Sequence, residues 1–437
     1  MKAKLALALL LTSLFSTSAM AAGPWSLDRC VEYALENNLN VRSAAIDNLN
    51  AELAVTEAKD AFLPTLSAGA SQSWDFGRSL TSQNTYANRN NSGFSWNVRL
   101  SLPLFQGLQA LRGLERARAA RAASMLQTDA VRDEVTLAVL SYYLQALYNR
   151  ELLGVSRQQL SLSATQLARQ EAMLEAGKVP EVDVIQARSQ VAMAEVDTVN
   201  AANNLRLALV SLAQLLELES AEGFDILPLE DTDPLALALV PESEVMARAL
   251  GNYSAIRAAE ANVATAESGV SLAKTGYLPR LSFGAGLSDN YYRMSGIENP
   301  SFSRQMRDNF AKSIGFTLSI PVFDAFATRN SVRRARTTLL SAQLDLQRRR
   351  SDLRKAVSEA WTQAMGARDK YAATCTAATA SKAALDAMTE KYTYGKANAT
   401  EWEQTRTNYI SALSSQVQAK YEAILRTRIV QFYAASR

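Results

Sequence analysis

The chain has 437 residues, 48% hydrophobic and 20% charged, with a formal net charge of +3 and no histidine. That length covers two or three ordinary domains. The near-balanced charge excludes the basic footprint of a nucleic-acid binder, and the missing histidine removes the commonest general base and metal ligand.

Residues 1–22 read as a secretory signal. Lys2 and Lys4 form a basic start, residues 5–15 an apolar core, and Ala19-Met20-Ala21 a small-x-small cleavage site. Loss of Lys2 and Lys4 leaves a net charge of +1. No cysteine sits just after the site, so the usual bacterial lipid anchor is not expected. Beyond the signal, no apolar run approaches the roughly 18–20 residues of a membrane-spanning helix.

The first half, residues 23–240, predicts a helix over 26–63, strands over 65–77 and 93–102, helices over 104–176 and 180–219, and a linker over 220–240. The second half, 241–437, predicts a helix over 242–278, strands over 280–291 and 312–320, and helices over 322–394 and 398–434. The prolines mark the joints. Pro64 and Pro279 end helices and open strands. Pro103 and Pro321 close strands and open helices, where a missing N–H does no harm. Pro228, Pro234 and Pro241 punctuate the linker.

The two halves are one unit written twice. Residues 34–70 align with 249–285 at an offset of 215, with 16 identities in 37 pairs. Chance would give roughly two or three. Later the offset becomes 218. Leu100-Ser101-Leu102-Pro103-Leu104-Phe105 then matches Leu318-Ser319-Ile320-Pro321-Val322-Phe323, and Arg116-Ala117-Arg118 matches Arg334-Ala335-Arg336. Gly177-Lys178 matches Gly395-Lys396, followed by the pairs Gln186/Gln404 and Arg188/Arg406.

The strands alternate. Phe94, Trp96, Val98, Leu100 and Leu102 are separated by Ser95, Asn97, Arg99 and Ser101. Ile314, Phe316, Leu318 and Ile320 are separated by Gly315, Thr317 and Ser319. Strands of about ten residues cross a bilayer when tilted. The polar faces are small or charged, unlike a second buried face, and Trp74 and Trp96 stand where interfacial aromatics stand. Four strands cannot close a barrel, and open edges do not persist in lipid. Oligomerisation is therefore expected. Two copies give a narrow eight-stranded barrel; three give twelve strands and a lumen. The long helical stretches carry coiled-coil spacing, as in Leu153, Leu160, Leu167 and Leu174. Arg348-Arg349-Arg350 reads as a solvated helix face. Cys30 and Cys375 read as unpaired thiols. No cofactor, metal or catalytic motif is visible.

Taken in order, these segments resemble the TolC-type outer-membrane efflux and secretion channels over nearly the whole mature length. The resemblance rests on Leu27-Asp28 with Ala34-Leu35-Glu36-Asn37-Asn38, on the two Leu-Pro-x-Leu-Ser segments, on the two Leu-Ser-x-Pro-x-Phe segments and on the repeated Gly-Lys turn. It implies a mainly α chain with a membrane β part: a homotrimer with a twelve-stranded barrel, continued by a long periplasmic α-helical barrel. It implies a passive duct without chemistry, in the outer membrane of a Gram-negative bacterium. Its partners would be outer-membrane lipid, a periplasmic adaptor and an inner-membrane transporter. A periplasmic coiled coil or adaptor without a pore is the alternative that the alternating strands disfavour.

The resemblance also places candidate sites. The turns at Gly177-Lys178 and Gly395-Lys396 become the periplasmic tip and the adaptor-docking candidates. Glu401 and Gln404 fall where the family commonly carries an acidic constriction, with Glu403 between them. The glutamine at the second position departs from a double carboxylate ring. Glu401 also stands three residues after Asn398, an N-cap spacing that explains it equally well. Asp183 and Tyr392 match positions that hold the closed tip together in relatives.

Overall fold

The computed structural model describes residues 23–80, 84–88, 90–229 and 233–435. The expected signal segment lies outside the described residues. In chain order the elements are α1 (Leu27–Asn37), α2 (Leu39–Asp60), β1 (Thr65–Asp75), β2 (Arg78–Leu80), β3 (Tyr86–Asn88), β4 (Asn91–Phe105), α3 (Gln109–Glu175) and α4 (Glu181–Leu215). There follow α5 (Glu242–Asn252), α6 (Ser254–Lys274), β5 (Arg280–Met294), α7 (Phe302–Asp308), β6 (Ala311–Ser319), α8 (Ala327–Thr393) and α9 (Ala399–Ala435).

The chain divides into two compact units that cut across the sequence repeat. One holds residues 45–128 and 255–350; the other holds 1–44, 129–254 and 351–437. Each unit therefore draws on both repeats. The helices α3 and α8 contribute to both, and each has 67 residues, about 100 Å at 1.5 Å per residue.

The strand-bearing unit contains one four-stranded antiparallel sheet in the order β1-β4-β5-β6. Its register aligns the alternation across every strand. Leu100 faces Leu66 and Ala285, which in turn faces Ile314, and Leu102 faces Phe283, which faces Phe316. These rows of one face are thus apolar across the sheet, and further along the strands the same face takes in Gln72, Asp289 and Lys312. The other carries Ser67, Arg99, Gly286 and Ser313 in a single row. On the edge strands the apolar side chains stand in the open, Leu66 71% exposed and Ile314 77%, while those of β4 and β5 are mostly half-buried. Among the described residues the outer edges of β1 and β6 carry no partner strand.

Several boundaries differ from the sequence reading, each for a local reason. The helices expected from 104 and 322 begin at Gln109 and Ala327. Pro103 stays in β4, at a bulge, and the turn that follows uses left-handed backbone at Gly107 and Leu108, repeated at Ala325 and Phe326. A Cβ at Gly107 would come within 2.8 Å of Leu278, so only glycine fits there. The helices expected over 26–63 and 242–278 are each broken once, at Asn38 and at its repeat equivalent Tyr253. Both residues leave the helical region with ψ near 130°. Asn38 is buried and spends its side chain on non-helical partners: Nδ2 donates to the Leu215 carbonyl at 2.9 Å and Oδ1 accepts from the Asn40 amide at 3.0 Å. The stretches between the two expected strands of each half hold the β2–β3 hairpin and the short α7. Arg348 and Arg349 pair with Asp345, and Arg350 with Glu260, which gives the basic run ordinary helix-surface partners.

The other unit is built around a clasp between the N-terminal segment and the linker. Trp25 and Ile226 form a parallel bridge, with the Trp25 amide on the Asp225 carbonyl and the Leu227 amide on the Trp25 carbonyl, both at 2.8 Å. Tyr143 of α3 is fully buried beneath it, and its hydroxyl lies 3.1 Å from the Trp25 carbonyl and 2.6 Å from that of Leu227. Tyr33 and Phe224 pack edge-on against the Trp25 ring. From α8, Arg368 donates to the Leu235 and Leu237 carbonyls, and Trp361 to that of Val240. Irregular chain has no ladder for its carbonyls, and these side chains supply donors to three of them.

Both thiols are free. Burial pushes the Cys30 thiol up to about 12, the Arg29 charge opposing only in part. Reactivity needs the thiolate, so Cys30 in a Cys375→Ser protein is expected to resist maleimide at pH 8 until the chain unfolds. Tyr143→Phe removes a buried hydrogen bond worth about 1–2 kcal/mol. It should raise the Cys30 labelling rate by roughly five- to thirtyfold in mild denaturant, measured by mass shift.

Candidate functional site: the Gly-Lys turns and the polar cavity beside them

The two turns are made the same way on the side where the long helix ends. Gly177 has φ +66° and Gly395 φ +70°, a backbone that L side chains rarely adopt. The Lys178 amide donates to the Met173 carbonyl at 2.9 Å, and the Lys396 amide to the Lys391 carbonyl at 2.8 Å. These are the six-to-one bonds of a glycine-terminated helix. Both lysines are exposed.

On the other side the turns differ. Pro180 precedes α4 and offers no side-chain cap; Glu181 and Asp183 lie in the first turn. Asn398 caps α9: its Oδ1 accepts from the Glu401 amide at 2.8 Å, and the Glu401 carboxylate accepts from the Asn398 amide at 3.2 Å. That is a reciprocal capping box. Glu401 is therefore employed at the helix start while remaining exposed. Gln404 is exposed and donates to Asn408 at 3.1 Å.

Glu403 takes a different part. It pairs with Arg406, which is only 3% exposed and also donates to the Ser163 hydroxyl at 2.7 Å. Arg406 and Glu403 line a small cavity of about 40 Å³ with Gln166, Gln170, Asp183 and Trp402. The Tyr392 hydroxyl accepts from the Gln166 amide at 2.9 Å and from the Gln170 amide at 2.5 Å. The Tyr392 ring stacks on Trp402 with centroids 5.7 Å apart. The Trp402 indole donates to the Thr389 hydroxyl at 3.0 Å. Arg169 stands over the Tyr392 ring and Arg406 over the Trp402 ring. Gln170 is 2% exposed, and its Oε1 is a buried acceptor without a partner among the described residues.

Of the expected site residues, the structure gathers Asp183 and Glu403 around one cavity and hangs Tyr392 on two of its glutamines. Glu401 and Gln404 lie on the exposed side of α9. Within the chain, Tyr392 is held by glutamines and not by Asp183. The sequence reading passed over Ser163, Gln166, Gln170 and Trp402. One signal was available. Arg188 and Arg406 are repeat equivalents, yet Arg188 is a surface residue paired with Glu171 while Arg406 is buried. Among the described residues no cluster could hold a metal ion, and no helix is long and apolar enough to cross a membrane.

A two-edged sheet with one apolar face, joined to paired 67-residue helices that end in capped turns, defines the subunit of an oligomeric membrane channel. The sequence profile of the outer membrane efflux proteins matches residues 30–217 and again 245–428. The chain belongs to the outer membrane efflux protein family, and is a subunit of an outer-membrane exit duct with a periplasmic helical part. It is similar to the outer membrane efflux protein BepC of Brucella suis, 23% identical over 397 residues that cover 90% of this chain and 81% of that one. It is likewise similar to the protein CyaE of Bordetella pertussis, 26% identical over 78% of this chain and 69% of that one. Its fold matches the crystal structure of CusC with a TM-score of 0.78 at 16% identity, covering 97% of this chain and 96% of that one.

Removing Arg406 leaves the half-buried Glu403 without its cation, and breaking such a pair costs about 3 kcal/mol. Arg406→Ala is expected to speed amide exchange around 163–170 and 392–406 more than a hundredfold. Arg188→Ala, at the equivalent surface position, should leave exchange there unchanged.

Proposed function

We propose that three copies of this chain close a twelve-stranded barrel in outer-membrane lipid and form the passive exit duct of a tripartite efflux pump or type I secretion system. The observation that carries this is the pair of open edges on a sheet whose edge strands leave large apolar side chains such as Leu66, Ile314, Phe316 and Leu318 exposed in the single chain. In hydrocarbon each unpaired backbone group costs several kcal/mol. A closed ring removes both edges at once. Eight strands would enclose a barrel filled by its own side chains, whereas twelve leave a lumen.

The Gly-Lys turns are then the end that meets a periplasmic adaptor, with an inner-membrane transporter beyond it supplying the energy. Residues 177–178 and 395–396 are the docking candidates. Glu401, Glu403 and Gln404, with Asp183 and Tyr392, form the candidate constriction and its latch. Three-fold symmetry would bring copies of Glu401 near one another, which favours cations in the lumen. The capping box does not oppose this, since the Glu401 side chain remains exposed.

The test is single-channel recording of the purified protein in planar bilayers. Cation-selective conductance from a heat-modifiable oligomer is expected, and a water-soluble protein that never conducts would sink the reading. Tyr392→Phe combined with Asp183→Ala should raise open probability several-fold, because Tyr392 loses the oxygen that Gln166 and Gln170 grip. Glu401→Gln should lower the cation preference. Unchanged conductance in the double variant would remove the latch.

A further inference from the structure

Within the chain, the long helix of the first repeat, α3, packs on the short helix of the second, α6. A Cβ at Gly269 would lie 3.9 Å from Nε of Arg116, and Arg116 enters a groove that Gly269, Leu272 and Ala273 of α6 line together with Arg334 and Thr338 of α8. The reciprocal pair is the long helix of the second repeat, α8, with the short helix of the first, α2. Among the described residues no hydrogen bond or ion pair joins 45–60 to 327–350. These two helices adjoin the open edges: α2 leads into β1 and α8 follows β6.

Both carry an uncovered face. On α2, Ile46, Leu49 and Leu53 fall on one side at helical spacing and are 58%, 60% and 60% exposed. Exposed Glu57 and Asp60 continue the same side towards β1. On α8, exposed Arg329, Arg333 and Arg336 begin a face that Leu340 and Leu344 continue, 56% and 57% exposed. Among the described residues none of Glu57, Asp60, Arg333 and Arg336 belongs to an ion pair. The repeat equivalents of Ile46, Leu49, Leu53, Glu57 and Asp60 on α6 are Ala261, Ala264, Ser268, Leu272 and Thr275. The three exposed large apolar side chains of α2 thus meet only Ala261, Ala264 and Ser268 at the equivalent places, and its two carboxylates meet none.

The repeat offsets also give a register. They carry the neighbours Arg116 and Gly269 onto Arg334 of one copy and Ala54 of the next. Every strand pair in the sheet is antiparallel, so β6 beside the next β1 lays α8 antiparallel to α2. Arg329 and Arg333 then stand level with Glu57 and Asp60, and Leu340 and Leu344 level with Leu49 and Ile46.

We propose that the seam between copies is this head-to-tail pairing of α8 on the next copy's α2, with the arginines against the carboxylates beside the strands and an apolar stripe beyond. Its occupant is a second copy of this chain, and the proposal rests on the trimer reading above. A heterologous contact of this kind closes a ring when the rotation allows it.

The test uses the full chain in detergent with Cys375→Ser. Leu49→Cys together with Leu340→Cys, treated with a short bismaleimide, should give covalent dimers and trimers, and either single substitution none. In parallel, Arg329→Glu with Arg333→Glu should lower the trimer fraction at least tenfold, as should Glu57→Arg with Asp60→Arg. The fourfold swap should restore it. Restoration cannot come from a chain that merely fails to fold. A wild-type protein that weighs as a trimer, yet gives no ladder with the cysteine pair, overturns the seam and leaves the trimer standing. Failure of the swap to restore assembly overturns the charge pairing. A wild-type protein that weighs as a monomer overturns the trimer reading itself.

Discussion

A backbone amide left without a partner in hydrocarbon costs several kcal/mol, and β1 and β6 each present a row of them. Most of the chain can be read as a response to that constraint. The register sets apolar side chains in one row across all four strands, from Leu66 through Leu100 and Ala285 to Ile314. The turns after β4 and β6 use left-handed backbone to bring helices off the strands at once. A single chain meets every demand of a membrane wall except closure, which needs further copies. That is also why the exposed hydrophobics of the sheet are no defect in the isolated subunit. In the barrel proposed above their cover is lipid, which is available only when the edges are paired.

The other end of the helices is governed by polarity. The repeat supplies the same Gly-Lys stop twice, and the two copies then diverge. One continues through Pro180 without a side-chain cap, the other through the Asn398–Glu401 box. Arg188 pairs at the surface, whereas its equivalent Arg406 is buried against Ser163 and Glu403. Buried polar networks are weak evidence for stability but restrict how helices can repack. A tip joined by Tyr392, two glutamines and one arginine has few alternative arrangements of low energy. Under the latch proposed above, such a set suits an end that opens, because losing a partner is costly and abrupt.

The elements that were legible in the sequence are those fixed by periodicity. The alternation around Trp96 and Phe316, the prolines at the strand ends and the repeat offsets all follow from the chain's own spacing. The boundaries that moved did so for reasons a period does not carry. Asn38 breaks its helix through its own side-chain hydrogen bonds, and Tyr253 breaks the equivalent place with a different side chain, so no single residue type announces the break. Gly107 and its non-glycine equivalent Ala325 adopt left-handed backbone in the same turn, which composition alone does not reveal. At the site, Glu401 was ambiguous because an acid three residues after an asparagine serves a cap and a lumen alike. Gln166 and Gln170 were invisible, since glutamine on a long helix is ordinarily a surface residue. Only the fold brings them to the Tyr392 hydroxyl.

The duplication also bears on why a chain of this kind would place its charges where it does. The joint between α3 and α6 lies inside one molecule, so covalent connection sets its register. At the positions of Arg329 and Arg333, the first repeat carries Leu111 and Glu115; at those of Glu57 and Asp60, the second carries Leu272 and Thr275. That joint has no cation facing carboxylates at this level. A joint between separate molecules has no linker to align it, and two apolar helix faces alone tolerate sliding by a turn. Opposite charges at one end make a shifted register costly and steer the approach of the partner. They also guard against pairing like with like, since α2 against α2 would set carboxylates together and α8 against α8 would set arginines together. On this argument the two repeats did not diverge at random along their short helices. They diverged where one joint must be recognised and the other is simply tied.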